Sequence, residues 1–324
     1  MPARRPPGPS GRRGRPDAGR RKLLKTAAAI PAAVAVARHV VSSSAAAAER
    51  TARGAALPQM RLGSHVMSRL VCGANPFDGG SHLSSFVNRQ MREYYTPEQV
   101  TRTLLRCEQA GVTCWQGSSG DAPRHRRLVE AGGKMRFIAI TAASGDIAPL
   151  KAAGCIGIAH HGEVTDGAFK GGSRSFERVG DYLKKLRDAG LLVGVSTHMP
   201  DALDAVESKG WHVDYYMACL YERHRGEAAL KEYLGHVPIP VGEVYLADDP
   251  ARMYRAIRQT KRPCLAFKIL AAGRLSDRRE WVEQAFRDAF ASIKPTDGVI
   301  VGIYDRYSDQ PGECAKLVRK YARS

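Results

Sequence analysis

From Leu70 onward the apolar and polar positions fall into two alternating periods. Short apolar runs of strand length predict strands at Leu70–Gly73, Val112–Trp115, Met135–Thr141, Ile156–His160, Leu192–Thr197, Val213–Met217, Cys264–Ile269 and Gly298–Gly302. Between them, apolar residues at helical spacing predict helices over 123–132, 146–153, 175–189, 201–209, 250–260, 279–292 and 311–322. An earlier helix opens at Thr96-Pro97-Glu98, with a capping hydroxyl and a proline in the first turn, and stops near Gly111. Others end on glycine, as at Ala153-Gly154 and Ala189-Gly190. Eight strand–helix units over about 250 residues imply a (β/α)8 TIM barrel. A β-hairpin turning at Gly63-Ser64 leads into it. An open doubly wound sheet is the weaker alternative, because no GxGxxG follows the first strand.

The first 54 residues do not share this pattern. Residues 1–53 hold twelve Lys and Arg against Asp17 and Glu49, so ten of the eighteen net positive charges lie there. The rest of the chain is only mildly basic, and a nucleic-acid partner is not implied. Gly19-Arg20-Arg21-Lys22-Leu23-Leu24-Lys25 precedes a short apolar run, Ala27 through Ala37, and then a small-residue stretch, Ser42 to Ala48. Charged, apolar and small regions in that order make a secretory signal, and the arginine pair resembles the twin-arginine type. The reading is an exported, periplasmic or otherwise extracytoplasmic protein: signal and linker over 1–54, barrel over 55–324. The alternatives are a basic tail or an uncleaved anchor. No other stretch reads as a membrane span.

Seven cysteines, Cys72, Cys107, Cys114, Cys155, Cys219, Cys264 and Cys314, show no metal-ligand spacing and do not make a disulfide framework. They read as small buried hydrophobes.

In a barrel of this kind the reactive groups come from the C-terminal ends of the strands. Here those ends supply Asn75, Gln116, Thr141, His160 and His161, His198, Lys268 and Asp305. Lys268, at the close of Cys264–Ile269, either escapes to solvent, pairs with a core carboxylate, or sits desolvated as a nucleophile or proton carrier. Imidazoles beside it would carry protons at neutral pH. His160 and His161 cannot both face inward from one extended strand. Tyr216 and Tyr304, with Trp115, Tyr215 and Tyr221, would suit stacking on sugar rings, or are simply core. Glu163, Asp166, Glu222, Glu243, Asp248 and Asp249, one at a time, read as solvated loop charges. His161, His198 and a carboxylate such as Glu243 are a conceivable divalent-metal set without a local motif. The long stretch Leu220–Pro250 could cover the barrel mouth, and within it Val237-Pro238-Ile239-Pro240-Val241-Gly242 reads as an extended connection or lid, not a helix.

Several segments together resemble the aldo/keto reductases: Leu62-Gly63 leading to Ser68-Arg69-Leu70 and Gly73-Ala74-Asn75-Pro76-Phe77, Ala110-Gly111-Val112-Thr113, Ala189 through Ser196, and Asp297 through Gly302. The resemblance spans roughly residues 60–322. It implies a barrel, an NADP cofactor, and a relay of Asp, Tyr, Lys and His at the ends of or just after the second to fourth strands. In this chain Gln116 stands in the Asp position, Asp121 in the Tyr position and Thr141 in the Lys position, and the His is His160 or His161. The segment after Gly302 departs from the family's phosphate-binding pattern, with Arg306 as the candidate phosphate contact. Three readings follow. The first is an exported barrel enzyme acting by acid/base chemistry on a carbonyl-bearing or sugar-like small molecule, of lyase or isomerase type, with Lys268 and His198 central. The second is an oxidoreductase with a tightly held NADP, and the third a non-catalytic barrel that binds a saccharide or a partner protein.

Overall fold

The computed structural model describes residues 56–239 and 243–322. The expected signal and linker, residues 1–54, lie outside the described residues. The described chain opens with a hairpin in which β1 (Gln59–Leu62) pairs antiparallel with β2 (His65–Ser68), Leu62 opposite His65. Gly63 makes the turn with φ +57°, and a Cβ there would run into Leu192.

Eight parallel strands follow: β3 (Leu70–Gly73), β4 (Cys114–Ser118), β5 (Arg136–Thr141), β6 (Cys155–His160), β7 (Leu192–Thr197), β8 (Tyr215–Cys219), β9 (Cys264–Phe267) and β10 (Gly298–Gly302). They close into a barrel in sequence order, β10 pairing with β3 on one side and β9 on the other. The helices are α1 (Ser85–Tyr94), α2 (Pro97–Gln109), α3 (Ala122–Glu130), α4 (Ile147–Ala152), α5 (Gly162–Lys170), α6 (Ser173–Asp188), α7 (Pro200–Ser208), α8 (Glu227–Leu234), α9 (Asp249–Gln259), α10 (Arg279–Ser292) and α11 (Gln310–Tyr321). The chain is therefore a (β/α)8 TIM barrel preceded by a β-hairpin. None of the described helices is long and apolar enough to cross a membrane.

Side chains alternate between two cores. Val71, Cys114, Ile138, Ala159, Tyr215, Met217, Leu265 and Ile300 fill the barrel interior, and Met60, Leu62 and Met67 of the hairpin pack against them. Their strand neighbours Cys72, Trp115, Phe137, Ala139, Ile158 and Tyr216 belong to the core shared with the helices. Because successive strand residues point to opposite faces, this parity settles which strand-end groups can reach the mouth of the barrel. All seven cysteines are buried free thiols.

Three departures from the sequence pattern bear on function. Helix α5 begins directly after His161, where Gly162 and Gly167 had masked a helical pattern. Helix α8 lies within Leu220–Pro250, where no helix was expected. Strand β9 stops at Phe267, short of the expected Ile269, because Lys268 takes a left-handed backbone with φ +59°. Ala271, Ala272 and Gly273 also have positive φ, so the chain turns sharply where an apolar run promised more strand.

Candidate active site

A cavity of about 920 Å³ opens at the C-terminal ends of the strands. Its wall includes Gln116, His161, His198, Arg223, Phe267 and Lys268.

Parity explains who is present. On β7, Val193 and Val195 face the helices, so Ser196 and then His198 turn inward. His198 is buried, and its Nδ1 lies 2.8 Å from Asp166 Oδ2. Asp166 comes from the middle of α5 and is only 2% exposed. The same carboxylate accepts from the backbone N–H of His198 at 3.1 Å and from the Thr197 hydroxyl. Asp166 is thus no solvated loop charge: a buried carboxylate needs such donors, and these fix the imidazole's orientation. Burial lowers the His198 pKa, while the bond and charge of Asp166 oppose that.

His224, in the loop between β8 and α8, approaches the same carboxylate. Its Nε2 is 3.5 Å from Asp166 Oδ2, and its ring stands edge-on to His198 with centroids 4.9 Å apart. That Nε2 is buried and has no hydrogen-bond partner among the described residues, and neither has the buried Nδ1 of His161. Burial, then the neighbouring His198 charge, pulls the His224 pKa down to about 4.

Lys268 also lines the cavity, next to Phe267. The Phe267 ring centroid is 5.6 Å from the His198 ring and 5.9 Å from Lys268 Nζ. Burial lowers the lysine's pKa, with the charges of Arg223 and Arg274 acting in the same direction and Cys219 and Glu243 opposing. Its left-handed backbone carries strain of about 1–3 kcal/mol, of the kind found where a side chain must be aimed.

A charged strap borders the cavity. Arg223 pairs with Glu163 and, at 2.5 Å, with Glu243. Glu243 also accepts from Tyr245 at 2.7 Å and sits 3.0 Å from His82 Nδ1. Burial alone would raise the Glu243 pKa, but His82, Tyr245 and Lys268 together hold it well below the usual carboxylate range. Glu243 is therefore committed to the strap, whereas His161 and His198 line the cavity. Asp249, another expected loop charge, is buried against Arg225 at 2.5 Å.

Other strand-end residues divide between cavity and helix layer. Asn75, Gln116 and Tyr304 line the cavity. Gln116 donates to the Gly117 carbonyl at 2.7 Å. His160 follows the inward Ala159 and so turns outward, its Nδ1 2.8 Å from Thr165 Oγ1 and its ring edge-on to Tyr182. Thr141 donates to Asp146 at 2.6 Å and Tyr216 to Glu207 at 2.6 Å, both away from the cavity wall. Asp305 is buried in a cluster with Arg106, Thr103, Tyr94 and Tyr95. Arg306 is exposed, stacked between Tyr94 and Tyr307, and its guanidinium reaches the Gln90 carbonyl.

The relay implied by the reductase resemblance does not assemble. Asp121, in the Tyr position, is buried against Arg124 at 2.5 Å. Thr141 and His160 face the helices and Arg306 is not on the cavity wall, while Gln116 and the alternative histidine, His161, line the cavity. With Gln116, Asp121 and Thr141 in the Asp, Tyr and Lys positions, the residues do not reproduce the Asp–Tyr–Lys–His relay that the resemblance implies for reduction with NADP.

The sequence reading missed Asp166 and His224. Gly162 and Gly167 hide the helix that carries Asp166 to His198. Nothing local marks His224, which the fold brings in from a loop.

No family model matches the chain, and no curated protein matches it. Among solved structures it is similar to a putative aldo-keto reductase from Pseudomonas aeruginosa, with 16% identity, 82% of this chain and 96% of that one covered, and a TM-score of 0.49. It is also similar to a truncated 3-deoxy-D-arabino-heptulosonate 7-phosphate synthase from Thermotoga maritima, with 12% identity, 82% and 91% covered, and a TM-score of 0.48. A dihydropteroate synthase from Xanthomonas albilineans has 13% identity, 82% and 96% covered, and a TM-score of 0.46. None of them lends a residue role to this chain.

Proposed function

We propose that the chain is an exported barrel enzyme that moves a proton next to the carbonyl of a small, sugar-like molecule, as an isomerase or lyase does. One observation carries this reading: Lys268 and His198, whose Nδ1 is held by Asp166, line one cavity, with Lys268 Nζ and the His198 ring 5.9 Å and 5.6 Å from the Phe267 ring centroid.

Two proton carriers flanking one space suit this chemistry, because a proton leaves carbon while another is needed at oxygen. Burial favours the neutral amine of Lys268, which can take a proton from the carbon beside the carbonyl. His198 serves the carbonyl side through Nε2, since Nδ1 is held by Asp166. Gln116 and Asn75 offer amide groups to hydroxyls on the substrate. Export through the twin-arginine-like segment belongs to the same proposal, and is compatible with a reaction that consumes no dissociable nicotinamide.

The test works without the product being identified. A panel of hydroxyaldehydes, hydroxyketones and 2-oxo acids is incubated with the protein in D2O, and loss of the proton beside the carbonyl is followed by NMR. At least one compound is expected to exchange above the protein-free rate, and Lys268→Met or His198→Gln to abolish the excess while circular dichroism stays native. Exchange indifferent to both substitutions, or none across the panel with folded protein, overturns the reading.

A further inference from the structure

Asp166, His198 and His224 converge, and one buried nitrogen among them, His224 Nε2, has no hydrogen-bond partner among the described residues. Each offers one ligand atom, and the three atoms lie within 4.8 Å of one another. Two of the separations, 2.8 Å and 3.5 Å, straddle the roughly 3.3 Å expected between ligands about 2.0–2.1 Å from a tetrahedral zinc. His224 Nε2 is buried 3.5 Å from a carboxylate and makes no hydrogen bond among those residues, a poor arrangement for an imidazole that only fills space. His161 Nδ1, on the same cavity, is likewise buried and unpartnered.

We infer that Asp166, His198 and His224 bind a divalent first-row cation, zinc or its like, at the edge of the cavity. Two imidazoles and one carboxylate are the donor set such ions take. Three protein ligands leave a coordination position free, and His198 already lies on the cavity wall, so that position is available to a substrate oxygen. Asp166 is held by the Thr197 hydroxyl and the backbone of His198, the kind of outer contact that keeps a metal-binding carboxylate in place.

The ion's role, though not its binding, rests on the reading above. With the cation bound, His198 becomes a ligand, and the carbonyl oxygen is polarised by the ion instead of by an imidazole proton. Lys268 keeps its part as the proton carrier at carbon. The site differs from the set anticipated in the sequence: His198 is common to both, but Asp166 and His224 replace Glu243 and His161.

The test is cation binding by the full chain stripped with EDTA. Titration with Co²⁺ is expected to give one saturable equivalent with visible d–d absorption, displaced by Zn²⁺, and Zn²⁺ is expected to raise the thermal midpoint. His224→Gln should weaken binding at least tenfold, while the exposed-loop control His236→Gln should leave it unchanged. Asp166→Asn provides a second variant, and circular dichroism confirms the fold of each. Binding indifferent to His224→Gln places the ion elsewhere and overturns the inference. Folded protein that binds neither cation overturns it too, while the proton-exchange assay still tests Lys268 by itself.

Discussion

His160 closes the fourth barrel strand, the position at which the reductase resemblance places a catalytic histidine, yet its ring is packed between Thr165 and Tyr182. If it is structural, its effect should appear in stability against pH. Burial, reinforced by the neighbouring His161, lowers its pKa from 6.5 to about 4. Between those values the unfolded chain binds a proton that the native state refuses. Stability therefore rises with pH across this window, is fully present above 6.5, and is lost as pH falls toward 4. At 1.36 kcal/mol per unit, a window of two and a half units is worth about 3 kcal/mol, of which about 2.5 falls between pH 7.5 and 4.5.

The assay is urea unfolding followed by tryptophan fluorescence from pH 4.5 to 7.5, on the wild type and on His160→Gln. Lowered pKa values at His125, His161, His198 and His224 give both proteins a common loss in acid. Beyond that loss, the wild type should fall by about 2.5 kcal/mol more than the variant over the window. The variant's stability at pH 7 is not the test, because the lost Thr165 contact moves both ends of its profile together. Parallel profiles would refute the argument, and would mean that His160 is hydrated or already charged in the native barrel.

Three further outcomes follow from the packing. Gly194→Ala places a methyl group against the Tyr215 ring inside the barrel and should cost about 1–3 kcal/mol in urea unfolding, while the same change at Gly145, with open space around it and no left-handed backbone, should not show that loss. Asp297→Ala removes a buried carboxylate that accepts from the backbone of Cys264 and Lys294 at 2.9 and 2.8 Å and pairs with Lys294 Nζ at 3.0 Å, so a loss of about 3–5 kcal/mol is expected; a loss below 1 would refute the account. Lys268→Gly should abolish proton exchange yet leave the fold up to about 1 kcal/mol more stable, since it relieves a left-handed backbone and removes a desolvated amine. A fall of that size instead would show that Lys268 braces the barrel.

Much of the fold was legible because the barrel repeats one decision eight times. The strands at Leu70–Gly73, Leu192–Thr197 and Gly298–Gly302 match the apolar runs that predicted them, and the helix at 279–292 matches its periodicity. The site was only half legible, and strand parity shows why. Taking the C-terminal ends as a list treats neighbours as equivalent, whereas one step along a strand exchanges the cavity for the helix layer. Thr141 and His160 fell on the wrong side of that step, as did Tyr216 beside the inward Tyr215 and Met217. Gln116 and His198 fell on the right one.

What remained hidden depends on contacts between elements that no local pattern encodes. Asp166 and His224 come from a helix with two glycines and from a loop, and each has its meaning only beside His198. Lys268 lay in plain view, but the turn that aims it did not. An apolar run such as Cys264–Leu270 carries no sign that its fifth residue will adopt φ +59°. Such a conformation is disfavoured for any residue but glycine, so the surrounding barrel must impose it. Tertiary structure overrides local preference at a residue that shares the cavity with His161 and His198. The places where sequence reasoning failed are thus concentrated where the proposed chemistry lies. A fold selected for stability alone could have placed glycine at 268 and extended or covered the strand there. Keeping a desolvated lysine on a strained backbone costs stability, and the proton-exchange assay measures what that cost supports.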